Sequence, residues 1–192
     1  MYHEGNRRLQ DEFNSRALAD RLVETLRRSE FSESDKALVE ESPFFFLATV
    51  DAEGRPDCSF KGGLPGFVRI VSPTLMAFPD YDGNGMFKSL GNIAVNPNVG
   101  LLFVRIGEKP GRLRVNGSAR IVRNDPLLAE FAGGRLLIQV TPTDIFPNCP
   151  RNIPQLEMVA PSIYSPRADE APVEPAWKAF DSFKDVVPPR RR

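Results

Sequence analysis

The chain has 192 residues, of which 41% are hydrophobic, and its 25 Lys and Arg balance 25 Asp and Glu. That is room for one globular domain with its own core, and the missing basic excess argues against a nucleic-acid binder. Two cysteines without CxxC spacing and a single histidine, His3, exclude a disulfide framework, a zinc cluster and a Ser-His-Asp triad.

The first fourteen residues are polar and unpatterned, and His3 is expected in a disordered terminus. They hold no apolar stretch of the kind a secretory leader needs. No apolar run approaches the ~18 residues of a membrane span. These absences predict a cytoplasmic protein. From Ser15 to Ser29, Leu18, Leu22 and Leu26 recur every fourth residue, which predicts a helix. Ser32 with Asp35 reads as a capping box that opens a short helix through Glu41, and Pro43 stops it.

At Phe44 the period changes. FFFLATV reads as a buried strand, Asp51–Gly54 as a turn, and Pro56–Lys61 as a second strand. Gly62-Gly63-Leu64-Pro65-Gly66 is too glycine-rich for regular structure. FVRIV and TLMAF are two further strands around Ser72-Pro73. A polar loop spans Pro79–Gly85, and a short helix is expected over Phe87–Val95. VGLLFVR and RLRVNGSARIV are long strands joined by a turn over Gly107–Gly111. Asn124 or Asp125, with Pro126 behind it, suits a helix start. RLLIQVTPTDIF is the last strand.

Residues 147–176 carry seven prolines and little periodicity, which predicts an extended arm that packs on the barrel or on a partner subunit. Trp177–Phe183 suits one or two helical turns, and Arg190-Arg191-Arg192 reads as a frayed, solvated tail. The pattern predicts a mainly β fold: a six- or seven-stranded antiparallel barrel with flanking helices. It divides the chain into a helical segment (1–42), a barrel (43–146) and a C-terminal arm (147–192). There is no βαβ rhythm and no GxGxxG, so a dinucleotide-binding doubly wound sheet is excluded.

Three stretches in order, ATVDAEGRPDCSFKGGLPGFVRI, FPDYDGNGMFKSLGNIAVNPNVGLLFV and LRVNGSARI, resemble the pyridoxamine 5′-phosphate oxidase-like, FMN-binding split-barrel family. The resemblance covers Phe44 to Ile145. It implies a split β-barrel, an FMN cofactor, and a homodimer with FMN at the subunit interface. The residues make chemical sense for that cofactor. Lys88 and Ser89 open the short helix, where a cation, a hydroxyl and orphan N–H groups suit a phosphate. The family commonly places a basic pair here, and Ser89 stands for its second member. Taken alone, Lys88 reads better as an ordinary solvated helix residue, and it is the matched context that favours the phosphate.

The flavin ring is implied to lie along Ser59, Phe60 and Lys61, with Pro79 and Asp80 at the end of the neighbouring strand and Asn84 in the adjoining loop. A cation near the ring raises the flavin's reduction potential, and Lys61 or Arg114 suits that role. For Arg114 the other reading is an outward residue in a cross-strand ion pair. Asn92 is either a phosphate-side contact or a helix C-cap. Asn148-Cys149-Pro150-Arg151 follows the last strand, where relatives place an arm near the flavin. Cys149 and Arg151 are therefore candidates for a substrate or partner site, with a small packed residue as the other reading of Cys149.

The sequence also departs from that family. Ser59-Phe60-Lys61-Gly62-Gly63 replaces an Arg-rich strand, and no histidine follows position 3, so vitamin B6 oxidation is disfavoured. Four functions are open. The first is an FMN oxidoreductase passing hydride or electrons from a reduced donor to a small acceptor. The second is a non-catalytic flavin-binding or storage module. The third is a split barrel for a deazaflavin (F420) or, less suited to so few histidines, haem. The fourth is a structural dimer without a cofactor.

Overall fold

A computed structural model describes residues 1–188. The basic tail Arg190–Arg192 lies outside them. Four helices and seven strands follow in chain order: α1 (Glu4–Glu12), α2 (Arg16–Leu26), α3 (Glu33–Glu41), β1 (Phe44–Val50), β2 (Pro56–Gly62), β3 (Arg69–Ser72), β4 (Leu75–Asp80), α4 (Lys88–Val95), β5 (Asn98–Arg105), β6 (Gly111–Val122) and β7 (Leu136–Asn148). The strands form one antiparallel sheet in the order β2-β1-β5-β6-β7-β4-β3. This is the mainly β, split-barrel architecture. Among the described residues no helix is long and apolar enough to cross a membrane.

Period-two alternation builds the core. On β1, Phe45, Leu47 and Thr49 point inward, while Phe46 and Ala48 are exposed. Val99, Leu101 and Phe103 of β5 and Leu113 and Val115 of β6 complete the same buried layer. Phe45 sits at its centre, 5.0 Å from Phe78 edge-on, 5.1 Å from Phe103 and 5.9 Å from Phe67. Each such ring contributes about 1.5–3 kcal/mol by leaving water. The long strand β6 is not regular throughout. Its register against β7 slips at Asn116/Gly117, and a Cβ on Gly117 would stand 2.3 Å from the Thr141 carbonyl oxygen. Only glycine fits that bulge.

The helices at the front are tied down by polar contacts. The Ser32 box closes as the sequence predicts: the Ser32 hydroxyl accepts from the Asp35 N–H and the Asp35 carboxylate accepts from the Ser32 N–H. Asp35 also takes both oxygens to Arg28, at 2.7 and 2.8 Å. Arg28 in turn exchanges two backbone hydrogen bonds with Ile145 of β7, and Arg27 pairs with Asp144. Glu40 of α3 accepts the Ile70 N–H at 3.0 Å, which fixes α3 over β3.

Three expectations need correction. The first fourteen residues are not unpatterned coil: α1 forms because His3 and Asn6 close a capping box, and Arg8–Glu4 and Arg7–Asp20 ion pairs replace an apolar stripe. The helix is polar on average and buries no residue, so it lacks the stripe of apolar side chains by which α2 is read. The leucine stripe of α2 is real, yet Leu18 and Leu22 are 62% and 44% exposed, and only Ala19 is buried. Behind Asp125 the chain makes a 3-10 turn over Pro126–Glu130 rather than an α-helix.

Among the described residues, the segment after β7 has no strand. It makes a 3-10 turn at Ala176–Ala179 and is tied to the rest of the chain by contacts that include the following. Leu156 accepts the Gly107 N–H at 2.9 Å, Pro166 lies against Gly133, and Lys178 reaches Asp82 at 2.6 Å.

Candidate functional site

The edge strand β2 meets the first turn of α4. Asp57, Ser59 and Lys61 of β2 are half-buried, whereas Cys58 and Phe60 are exposed on the opposite face. The Ser59 hydroxyl lies 2.9 Å from that of Ser89, the second residue of α4. Phe87 occupies the N-cap in a left-handed conformation (φ 49°), and no side chain caps the helix. The first-turn N–H groups therefore have neither an intrahelical acceptor nor a capping oxygen. Lys88, the first helical residue, is exposed. Two hydroxyls, a cation and uncapped amides at one helix start are the donor set that a phosphate dianion takes.

Asn92 lies one turn further along α4 and is buried, and its amide donates to the Thr49 hydroxyl of β1 at 2.9 Å. It is not the helix C-cap. That position belongs to Asn96, whose N–H returns to the Asn92 carbonyl. The Asn92–Thr49 bond seats α4 against the sheet and so fixes where the uncapped turn sits.

Behind this rim lies a line of half-buried charge. Burial holds the Lys61 ammonium below its ordinary pKa, against the opposing pull of Asp80 and then Asp57. Burial likewise pushes the Asp80 carboxyl up, and the charges of Arg135 and Lys61 counter it. Burial raises the neighbouring Tyr81 phenol to about 12. Arg135, just before β7, donates to the Asp80 carboxylate at 2.8 Å, to the Tyr81 carbonyl at 2.9 Å and to the Asp82 carboxylate at 3.2 Å.

The structure divides the other candidates. Pro79 is buried within β4 opposite Leu137. Asn84 is exposed in the loop and accepts the Met86 N–H at 3.0 Å. Phe60 faces away from Ser59 and stacks on Phe44 at 5.2 Å. It heads a row across the outer face, Phe60, Phe46, Leu102, Arg114, Phe146, set by strand register. Arg114 thus stands between apolar neighbours and makes no ion pair among the described residues, which removes its cross-strand ion-pair reading.

Cys149 and Arg151 leave the end of β7, four places from β2 in the sheet order. No hydrogen bond among the described residues joins them to Ser59 or Ser89. Cys149 is exposed, not a packed core residue. Its thiol is held below the ordinary range first by the Arg151 backbone N–H, then by the charges of Arg151 and Arg112.

Residues 31–149 match the family model for pyridoxamine 5′-phosphate oxidase. The chain belongs to the pyridoxamine 5′-phosphate oxidase family. No curated protein matches it. Among solved structures, one from Lactobacillus delbrueckii, described as a candidate pyridoxamine 5′-phosphate oxidase, shares 18% identity at a TM-score of 0.50 and covers 64% of this chain and 99% of its own. An FMN-binding protein of Syntrophomonas wolfei is 10% identical at a TM-score of 0.47, over 73% of this chain and 97% of its own. The haem-storage protein HutZ of Vibrio cholerae is 19% identical at 0.44, over 59% and 90%. At these identities a structural likeness speaks to the fold alone.

Local sequence pattern did not point to Asp82, Phe87, Arg135 or Lys178 as site residues. Arg135 follows two glycines and immediately precedes β7, and its partner Asp80 is 55 residues away. Only the β4–β7 pairing joins them.

Proposed function

We propose that this chain binds FMN, with the phosphate at the first turn of α4 and the ring along the Ser59–Lys61 side of β2. The observation that carries the reading is the uncapped start of α4 beside the Ser59–Ser89 hydroxyl pair. Lys88 contributes the cation, and Ser59, Ser89 and the first-turn amides contribute neutral donors. Lys61 supplies positive charge beside the ring, and Asp80 sets how much of that charge is felt. The bound flavin would supply hydride or electron transfer between a reduced donor and a small acceptor. The chain's own work is to bind, orient and bias, since no acid–base pair is needed for that exchange. Oxidation of a vitamin B6 phosphate is not proposed, because the one histidine, His3, is engaged as the N-cap of α1.

The protein is further proposed to act as a homodimer. Phe60 and Phe46 are 62% and 37% exposed on the outer face, beside Leu102 and Phe44. Contiguous exposed aromatics of this kind mark an association surface. Arg114, in the same row, and Arg151 beyond β7 are proposed as the side chains that meet a bound anion or substrate across the subunit boundary.

A fluorescence titration with FMN, followed by an assay of NADH and NADPH oxidation, tests the reading. Quenching with micromolar affinity and donor-dependent turnover is the expected result. Binding without turnover would make the protein a flavin carrier, and preference for a deazaflavin would reassign the cofactor. Sedimentation across a concentration series should show a dimer, and a monomer throughout would overturn that part.

A further inference from the structure

In the loop between β4 and α4, Tyr81 packs against the core, but the residues after it, 82–87, are exposed. A Cβ built on Gly83 or Gly85 meets nothing within 4 Å, and Gly85 has φ +77°. Met86 and Phe87 are 72% and 48% exposed. Yet this loop ends at Phe87, and the left-handed Phe87 backbone sets how α4 begins. For an aromatic residue that conformation is strained by about 1–3 kcal/mol, so something outside the loop must hold it.

Two cations from distant parts of the chain do so. Arg135 grips the loop at Asp80, Tyr81 and Asp82, and its guanidinium lies 5.3 Å over the Phe87 ring. Its backbone N–H also bonds the Asp80 carbonyl at 2.9 Å. Lys178 of the C-terminal segment takes the other Asp82 oxygen at 2.6 Å, and Glu174 at 3.0 Å. Lys178 is only 15% exposed, so this pair is better shielded from salt than a typical surface pair. Asp82 is thus clasped from both sides.

We propose that Arg135 and Lys178 are positioning residues that latch the 80–87 loop through Asp82 and thereby hold the α4 first turn in its phosphate-ready form. The inference rests on the FMN reading for its ligand, though not for the latch itself. It makes the C-terminal segment a part of the cofactor site without touching the cofactor. Release of that segment loosens the phosphate end first.

The test uses full-length protein with Lys178→Ala, Lys178→Arg and Asp82→Asn, because Arg135→Ala removes enough contacts to endanger folding. Hydrogen exchange reads the amides of residues 83–91, and titrations compare FMN with riboflavin, which lacks the phosphate. Lys178→Ala and Asp82→Asn should speed exchange in that window and weaken FMN about three- to tenfold. Riboflavin affinity should stay unchanged, and Lys178→Arg should restore FMN affinity. Unaltered exchange in both variants would overturn the latch. Equal losses for FMN and riboflavin would overturn its link to the phosphate. A wild-type protein that binds neither flavin would sink the proposed function and the phosphate link together. The latch would then stand or fall on the exchange data alone.

Discussion

The two groups of candidate residues are held in opposite ways. The rim of β2 and α4 is fixed by long-range bonds: Ser59 to Ser89, Thr49 to Asn92, and Asp80 to Arg135. Cys149 and Arg151 are exposed, lie just beyond the end of β7, and influence each other by local contact. A site that must bind a defined ligand benefits from donors fixed beforehand, since ordering them on binding weakens affinity. The rim has that property and the post-β7 segment lacks it. Ligand retention should therefore depend on the rim, and the thiol segment should tune reactivity or partner contact.

The largest effect should come from breaking the support of the rim. Thr49→Val leaves the buried Asn92 amide without its acceptor, and about 1–3 kcal/mol of stability should be lost. Chemical denaturation checks this, and the loss should appear at unchanged m-value. Next is the ligand itself. Lys88→Ala should weaken FMN about tenfold, the share of one charge-assisted contact, while Arg151→Ala measured in the same titration should leave the monomer's own share of affinity intact. Equal losses for the two would erase the distinction between the regions.

A spectroscopic probe of the rim follows from Tyr81. Its phenol is raised from an ordinary value of 10.0 to about 12 by burial. For a group whose folded pKa is raised, the stabilisation is complete below the unfolded value and is lost as pH rises through the folded one. Absorbance at 295 nm should show a step near pH 12, and Tyr81→Phe should remove it. The smallest effect belongs to the other region. Alkylation of Cys149 by iodoacetamide should persist to lower pH than for a free thiol, and Arg151→Ala should slow it only a few-fold, because the backbone N–H of residue 151 remains.

Sequence pattern carried the barrel well and the site in part. Period-two alternation in FFFLATV and VGLLFVR names the buried residues, because a strand exposes its two faces by turns. The turn proposed to hold a phosphate stood out in the sequence as a Gly-Asn-Gly loop ahead of Lys88-Ser89. What lay hidden depended on distance in sequence. That Phe60 parts company with Ser59 follows from the side α4 takes along β2. That Asp82 is clasped by Arg135 and Lys178 follows from the β4–β7 pairing and the path of the C-terminal segment. Helix α1 escaped because it is polar on average and buries no residue, so ion pairs and a capping box hold it without an apolar stripe.

The most direct test of the central claim is the visible absorption spectrum of the purified protein, with mass identification of what denaturation releases. The account predicts flavin bands and released FMN. A colourless protein that also fails to take up added FMN would contradict it.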